Sequence, residues 1–396
     1  MVSQMKITQV EVFPLFVPLS ESIEAPVSIP HAEKVQSIVF GGYRATIVRI
    51  TTDTGVVGYG ECMTRFAAGA YKPIIEEISP IVIGSDPMQP EHTWEIMYAT
   101  MMNRGHNRGF FIEALSGIDI ALWDIRAKAL GLPLYMFLGG RQRDIIPSYA
   151  SSLRMRETSI VLETAREFID QGFRSIKIKL GKNPEGYLQD IRLVEKIREE
   201  VGDDIVLTVD ANCGYHEDYK LALRVGRELE KLGIQWFEEP ISPDNMYGYK
   251  FLSDNLDMAI AWGESSFTRF DFANMFAERC VDIVQPNPCR VGGLTEIARI
   301  AHMSQSFHIP YAPHTGSCSA LCLAVSLHIA TALPNMLTFE VMRSDWSKQD
   351  YNPLRNDLLT EPYDVFDNGF LHAPASDKPG IGIDVNDEIL ERYKVA

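Results

Sequence analysis

Residues 175–180 read SIKIKL, residues 205–210 read IVLTVD and residues 235–238 read QWFE. Each run is short, largely apolar and rich in β-branched or aromatic side chains, which is typical of strands buried in a sheet. Two longer segments with helical spacing of apolar residues, Tyr187–Val201 and Tyr219–Leu232, lie between them. This alternation predicts a parallel sheet built from βα units.

The same rhythm continues on both sides of this stretch. Two further helical segments are Leu294–Phe307 and Ser319–Ala332. Five further strand candidates are Ile145–Ser151, Met258–Gly263, Asp282–Gln285, Ile309–Pro313 and Leu337–Glu340. Eight strands in about 200 residues favour a closed barrel over an open sheet. The sequence therefore predicts an α/β protein with a TIM-type barrel over residues 136–362.

The first part of the chain is organised differently. Lys6–Val17 and Ala45–Thr52 are rich in β-branched residues and predict strands, whereas the apolar residues from 73 to 130 have helical periodicity. We therefore expect a small α+β domain over residues 1–135. The last segment, residues 363–396, is rich in turn residues, and we expect it to be irregular and to pack back on this first domain.

Composition and charge exclude several classes of protein. The 396 residues include 37 basic and 53 acidic side chains, a net charge of −16, with no basic stripe of the kind that nucleic-acid binders carry. The acidic balance argues against docking on anionic membranes, and the most apolar stretch, Ala320–Leu333, is too short to span a bilayer. The N-terminus lacks an apolar signal core and the six cysteines lack CxxC spacing, so we expect a cytoplasmic protein with free thiols.

Charged side chains collect at the ends of the predicted strands, which in a barrel face the active site. Three successive strands end at or beside an acid, namely Asp210, Glu238 and Glu264. Lys177 and Lys179 end the preceding strand, and their spacing of two places both on the same side of the sheet.

A single carboxylate at a strand end is commonly a helix cap or a surface charge. Three carboxylates that converge repel one another strongly unless a cation neutralises them. Hard oxygen ligands, completed by water and substrate, suit Mg²⁺. The sequence therefore predicts one Mg²⁺ ion held by Asp210, Glu238 and Glu264.

Together these motifs resemble the enolase superfamily, and within it the mandelate racemase-like subgroup of acid-sugar enzymes. The resemblance covers nearly the whole chain. The motifs that carry it are Gly58-Tyr59-Gly60-Glu61, GIDIALWDI at 117–125, Leu138-Gly139-Gly140, the lysine pair, the acid triad, Val291-Gly292-Gly293, His314 and Pro379-Gly380-Ile381-Gly382-Ile383. Their order and spacing are highly specific for fold and metal, and much less specific for substrate.

The resemblance implies a modified barrel of the (β/α)7β type under an α+β capping domain that the C-terminal tail completes. It implies that a base removes the proton α to a carboxylate and that Mg²⁺ holds the resulting enediolate. It also implies a homo-oligomer, a dimer or an octamer.

The resemblance further implies roles for individual residues. Lys179 is the base, which must be neutral to act, and Lys177 orients or charge-stabilises the substrate carboxylate. Glu340 matches a strand-8 acid that hydrogen-bonds a carboxylate oxygen in its protonated form. Asn212 would touch a substrate hydroxyl or carboxylate, and His314 is the strand-7 histidine.

One position departs from the family pattern. Asn287 stands where this subgroup commonly has an aspartate hydrogen-bonded to the strand-7 histidine. An asparagine can accept a hydrogen bond from the ring N–H, but it stabilises an imidazolium less than an aspartate does. His314 is then a general acid that expels a β-hydroxyl, a second base for racemisation or epimerisation, or a group that only positions substrate, as in a cycloisomerase. A non-catalytic protein is the remaining interpretation.

Dehydration of an aldonate or aldarate to a 2-keto-3-deoxy acid is the favoured function. Acid-sugar dehydratases are the most populous activity with this lysine and histidine pattern, and a general acid suffers less from an uncharged partner than a symmetric two-base racemase does. A metal-independent Schiff-base aldolase is the alternative from another class, but it has no need of three clustered acids.

Specificity is expected to come from the capping domain. The turn-rich segment Ser20–Lys34 suits a mobile lid. Other residues near the pocket are Tyr43, Arg65, Phe66, His106 and Arg108. An arginine or histidine there would suit a second substrate carboxylate, although packing at the surface or between domains is the ordinary role for such residues.

Overall fold

The computed structural model describes residues 5–19, 41–153, 157–181, 186–343, 351–363 and 366–395. The predicted lid, Ser20–Lys34, lies outside these ranges. None of the helices within them combines the length and the apolar character that a bilayer span requires.

The N-terminal part is the predicted α+β unit, a three-stranded antiparallel sheet with helices on it. Its elements are β1 (Ile7–Pro18), β2 (Gly42–Thr52), β3 (Val57–Cys62), α1 (Tyr71–Val82), α2 (Pro90–Met102) and α3 (Phe110–Ala129). Nearly every side chain of α3 is buried, because this helix packs directly on β3. A Cβ on Gly60 would lie 1.9 Å from the Gly117 carbonyl oxygen, so the close approach requires glycine there.

The second part is the predicted barrel-like α/β unit. Its strands are β4 (Ile145–Leu153), β5 (Ser175–Lys179), β6 (Val206–Asp210), β7 (Ile234–Glu238), β8 (Ala259–Trp262), β9 (Ile283–Val284) and β10 (Phe339–Met342). Its helices are α4 (Thr158–Asp170), α5 (Tyr187–Val201), α6 (Tyr219–Lys231), α7 (Met246–Asn255), α8 (Thr268–Glu278), α9 (Gly293–Ser306) and α10 (Ala320–Ala332). Strands β4 to β9 pair in parallel in chain order, and β10 pairs with the other edge of β4.

The predicted strand Ile309–Pro313 is wrong. In the described part of the chain, regular strand pairing does not close the ring. Tyr311 alone stands in that gap and makes isolated bridges to Val284 and Met336. Two of the five residues are prolines, which cannot donate a ladder hydrogen bond, so a regular strand cannot form.

The C-terminal segment is less irregular than predicted. The short helix α11 (Pro353–Asn356) precedes it, and its own elements are β11 (Phe366–Asp367), β12 (Phe370–His372) and α12 (Asp387–Tyr393). The β12 strand pairs with β4 of the barrel, whereas the Val395 N–H donates to the Pro14 carbonyl of β1 at 2.8 Å. The tail thus contacts both units.

Glu61 joins the two units at the start of α10. Its buried carboxylate accepts hydrogen bonds from the Ser319 N–H at 3.0 Å, the Ser319 hydroxyl at 2.6 Å and the Cys322 N–H at 3.0 Å. A carboxylate at a helix N-terminus satisfies free N–H groups and complements the helix dipole.

We expect Glu61→Ala to destabilise the protein by about 3 kcal/mol or more, because it leaves three buried donors without an acceptor. The melting temperature should fall by roughly 5 °C or more. Glu76→Ala, the same change on an exposed face of α1 where the side chain is 60% exposed, is the matched control. Equal melting temperatures for the two variants would contradict this role of Glu61.

Candidate active site

The register of the parallel strands brings the three predicted acids together. Lys179 lies beside Asp210 across the β5–β6 pair, and Asp210 lies beside Glu238 across the β6–β7 pair. Glu264 follows β8 after Gly263, whose φ of 142° turns the chain toward the same point. A Cβ on Gly263 would lie 2.9 Å from the backbone nitrogen of Gln285, the residue that follows β9, so only glycine fits there.

These acids form a donor set that fits a hard divalent cation. Asp210, Glu238 and Glu264 are buried, and one carboxylate oxygen from each lies within 4.8 Å of the others. Burial and the neighbouring charge of Asp210 raise the pKa of Glu238 to about 8, so ionising all three carboxylates together costs free energy. A bound cation would offset that cost.

Both predicted lysines reach the cluster. Lys177 is 1% exposed, and its Nζ lies 2.7 Å from Glu238, 3.0 Å from Glu340 and 3.7 Å from Asp210. Burial lowers the pKa of Lys177, but the charges of Glu238 and Glu340 outweigh that effect and raise it well above the ordinary lysine value. Lys179 forms an ion pair with Asp210 and stays 16% exposed, which leaves it open to a substrate.

Glu340 is held as a carboxylate. Its oxygens accept hydrogen bonds from the Ser151 hydroxyl at 2.6 Å and from the N–H groups of Thr315 and Gly316 at 2.7 and 3.0 Å. Burial opposes the charged form, but Lys177 and these donors hold the pKa of Glu340 well below its ordinary value. This environment differs from the protonated form that the resemblance implies.

The contact between Asn287 and His314 has the opposite direction to the one expected. The Cys289 N–H donates to Asn287 Oδ1 at 2.8 Å, so the amide Nδ2 is the group that faces His314. It lies 3.3 Å from His314 Nδ1 and 3.0 Å from the His314 carbonyl oxygen. Asn287 therefore donates to the ring, and the expectation that it accepts from the ring N–H is wrong.

This contact favours one tautomer of the His314 ring, whereas Arg65 Nη2, 3.1 Å from Nε2, favours the other. With Nδ1 as acceptor, the proton of neutral His314 sits on Nε2, which lies 3.1 Å from a carboxylate oxygen of Glu264. Burial lowers the pKa of His314 to about 4 despite the nearby charge of Glu264. In that tautomer, His314 offers an N–H donor to the site at neutral pH.

The remaining predicted residues differ in how far their side chains are buried. Asn212 is half-buried at the mouth of the site, and its backbone N–H donates to Asp210 at 2.8 Å. Of the capping-domain residues, Tyr43 is buried, whereas Phe66 and His106 are exposed and Arg108 pairs with Asp271 at 2.6 Å.

Arg65 is the capping-domain residue that enters the site. The Nη2 atom of Arg65 lies 3.1 Å from Glu264 Oε1 and 3.1 Å from His314 Nε2. Burial raises the pKa of Glu264, but the positive charges of His314 and Arg65 outweigh that effect and lower the pKa to about 2. Sequence reasoning placed Arg65 near the pocket and did not identify its partners.

Gln285 is a site residue that sequence reasoning missed. Its Nε2 donates to Glu238 at 2.7 Å. The signal for it was available, because Gln285 precedes Asn287 by two residues and residues spaced by two share one side of an extended chain.

Comparison with known proteins adds independent findings. Residues 161–389 match the family model described as enolase C-terminal domain-like, and residues 25–139 match that of the mandelate racemase / muconate lactonizing enzyme N-terminal domain. Arabinonate dehydratase of Saccharolobus solfataricus is 35% identical over 353 residues, covering 87% of this chain and 89% of that protein. D-galactarolactone cycloisomerase of Agrobacterium fabrum is 33% identical over 357 residues, covering 88% and 91%.

A solved structure agrees with the fold along the whole chain. The 3,6-anhydro-D-galactonate cycloisomerase from Zobellia galactanivorans superposes with a TM-score of 0.85 at 32% identity, covering 99% of this chain and 100% of that one.

Proposed function

The chain belongs to the mandelate racemase and muconate lactonizing enzyme family of the enolase superfamily, and on that premise we propose that it eliminates water from an aldonate or aldarate to give a 2-keto-3-deoxy acid. It is accordingly an enzyme, a carbon–oxygen lyase or an isomerase, like the dehydratase and the cycloisomerase it resembles. The observation that carries the proposal is the buried cluster in which Lys177 and Lys179 lie against three converging carboxylates.

We assign the three carboxylates of Asp210, Glu238 and Glu264 to one Mg²⁺ ion, because all the donors are hard oxygens. When bound, Mg²⁺ supplies a Lewis acid that stabilises negative charge on the substrate carboxylate. The lysines, Asn212 and Glu340 then surround that carboxylate and its neighbouring hydroxyl.

Lys179 takes the proton from the carbon α to the carboxylate. It must be neutral to do so. Lys177 cannot replace it, since its ammonium is already engaged by Glu238 and Glu340. As the proton leaves the α carbon, the C–O bond at the β carbon breaks, a C=C bond forms, and the resulting enol becomes the 2-keto acid.

The fate of the β oxygen depends on His314. A hydroxyl leaves as water only if it receives a proton, which an imidazolium form of His314 would donate from Nε2, leaving the neutral imidazole. Because Asn287 donates to Nδ1, that nitrogen has no acceptor that would hold a second proton on the ring.

This geometry favours a second function as well, the opening of a sugar-acid lactone whose ester oxygen is on the β carbon. There the leaving group is a carboxylate, which departs without a proton. A neutral His314 suffices for that elimination, and one relative is a lactone cycloisomerase.

The Asn287→Asp variant is expected to favour loss of water from a hydroxy acid over loss of the carboxylate leaving group from a lactone. An aspartate accepts the Nδ1–H and should raise the pKa of His314 by about one pH unit or more. The ratio of kcat/KM for an aldonate to kcat/KM for an aldarolactone should rise by about tenfold or more. The measurements are this ratio and the ¹⁵N NMR shifts of His314.

Asn103→Asp, the same exchange at an exposed position, should leave that ratio unchanged. A ratio that stays constant in Asn287→Asp, while the His314 pKa rises, would show that His314 does not handle the leaving hydroxyl.

Product analysis tests the proposed function. Purified protein with Mg²⁺ is incubated with separate pools of aldonates, aldarates and aldarolactones, and products are identified by ¹H NMR. A 2-keto-3-deoxy acid from a hydroxy acid supports dehydration, and one from a lactone alone supports the second function. Racemised substrate without a keto product would overturn both.

A further inference from the structure

The loop that follows β9, residues 287–292, lies between the metal-binding acids and the capping domain. Two of its residues, Cys289 and Gly292, contact that domain through their backbone. The Met63 N–H donates to the Cys289 carbonyl at 2.8 Å, and the Gly292 N–H donates to Ser116 Oγ at 2.9 Å. The loop is therefore fixed against the capping domain on one side.

Arg290, in the middle of this loop, bridges the two units. Its Nε donates to Glu113 Oε1 of α3 at 3.0 Å, and its Nη1 donates to the backbone carbonyl of Glu264 at 2.8 Å. The Arg290 side chain is 13% exposed and Glu113 is 6% exposed, so water competes little for these bonds. The Tyr71 hydroxyl lies 2.8 Å from the other Glu113 oxygen, and the Phe267 ring lies 5.7 Å below the guanidinium.

The bond to Glu264 matters because of where that residue lies. The β8 strand ends at Trp262, so Glu264 is beyond the ladder that fixes Asp210 and Glu238. Arg290 hydrogen-bonds the backbone carbonyl of Glu264, while the Glu264 carboxylate faces the site. An arginine can do this and bind Glu113 at once because its fork carries several N–H groups.

We propose that Arg290 is a positioning residue for the metal centre: anchored by Glu113 of the capping domain, it fixes the Glu264 backbone and thereby sets the affinity for the cation. The proposal rests on the assignment of the metal to the acid triad. It makes α3 of the capping domain, which contributes none of the assigned ligands, a determinant of metal binding.

The test is Mn²⁺ binding to the metal-free full-length protein, measured by electron paramagnetic resonance without substrate. Arg290→Met should raise the Kd for Mn²⁺ by about 10- to 100-fold, the loss typical of removing a group that orients a metal ligand. Arg290→Lys should lie between wild type and Arg290→Met, because one ammonium cannot hold both partners. Glu113→Gln should raise the Kd by about threefold or more, and adding it to Arg290→Met should change little, as expected of residues that act as a unit.

Arg269→Met is the matched control. Arg269 likewise joins the two units, pairing with buried Glu296 of α9 and with Glu95 of α2, and it contacts no member of the triad. It should lower the melting temperature yet leave the Kd for Mn²⁺ within about twofold.

The outcomes separate the two claims. If the wild-type protein binds no Mn²⁺, the metal assignment itself is wrong. If wild type binds and the folded Arg290 and Glu113 variants bind equally well, the metal assignment stands and the positioning role is overturned. Should Arg290→Met fail to fold, Arg290→Lys and Glu113→Gln decide the question alone.

Discussion

Replacing Lys179 with methionine is expected to lower kcat by at least about 10³-fold while the protein still folds and binds the substrate. Methionine keeps the length of the side chain and removes the only atom that accepts the α proton. The side chain is 16% exposed and pairs with Asp210 alone among the triad acids, so its loss perturbs the core little. The measurement is turnover together with exchange of the C2 proton in D₂O, and both should disappear.

Lys220→Met, the same exchange on an exposed turn of α6, is the control and should retain wild-type kcat. C2 exchange that persists in Lys179→Met would mean that another group removes the proton. If C2 exchange persists but the keto product is lost, Lys179 would instead act in the departure of the β oxygen.

Removing the metal is expected to lower activity by at least about 10³-fold, and added Mg²⁺ should restore it fully. The reason is that the carboxylate must accept a second negative charge when the α proton leaves. Treatment with a chelator followed by titration of Mg²⁺ measures this directly. Borohydride added with substrate should leave the protein active, whereas it would inactivate a Schiff-base aldolase by reducing the imine at its lysine. Such an aldolase would also keep its activity after treatment with the chelator.

Two neighbouring acids provide a matched pair for the same test. Glu238→Gln should abolish metal binding, since Glu238 belongs to the triad. Glu239→Gln should bind metal as wild type does, because Glu239 lies outside the triad and its carboxylate accepts from the Ser265 hydroxyl at 3.4 Å. Equal metal binding by both variants would contradict the assignment of the ligands.

The sequence was sufficient to predict the triad and the lysine pair because strand geometry is local and periodic. Side chains spaced by two share a side, and the ends of parallel strands converge, so Lys177, Lys179 and Asp210 had to meet if the βα rhythm was correct. The family resemblance extended this to Glu340 and His314. Their roles in the reaction remain predictions.

The errors arose where local pattern is not decisive. The segment 309–313 is apolar enough for a strand, but its prolines reduce it to isolated bridges at Tyr311. The direction of the Asn287 contact depends on the Cys289 N–H, which fixes the amide orientation and cannot be read from residue type. Arg65 and Arg290 act across the boundary between the two units, and no periodicity within either unit predicts such contacts.

The most direct test of the central claim is ¹H NMR of the enzyme in D₂O with Mg²⁺ and a sugar acid that it binds. We predict that the C2 proton resonance disappears and that a 2-keto-3-deoxy acid accumulates, with neither change in Lys179→Met. A C2 proton that stays intact in the wild-type enzyme while the substrate is consumed would contradict proton abstraction α to the carboxylate, and with it the function proposed for this cluster.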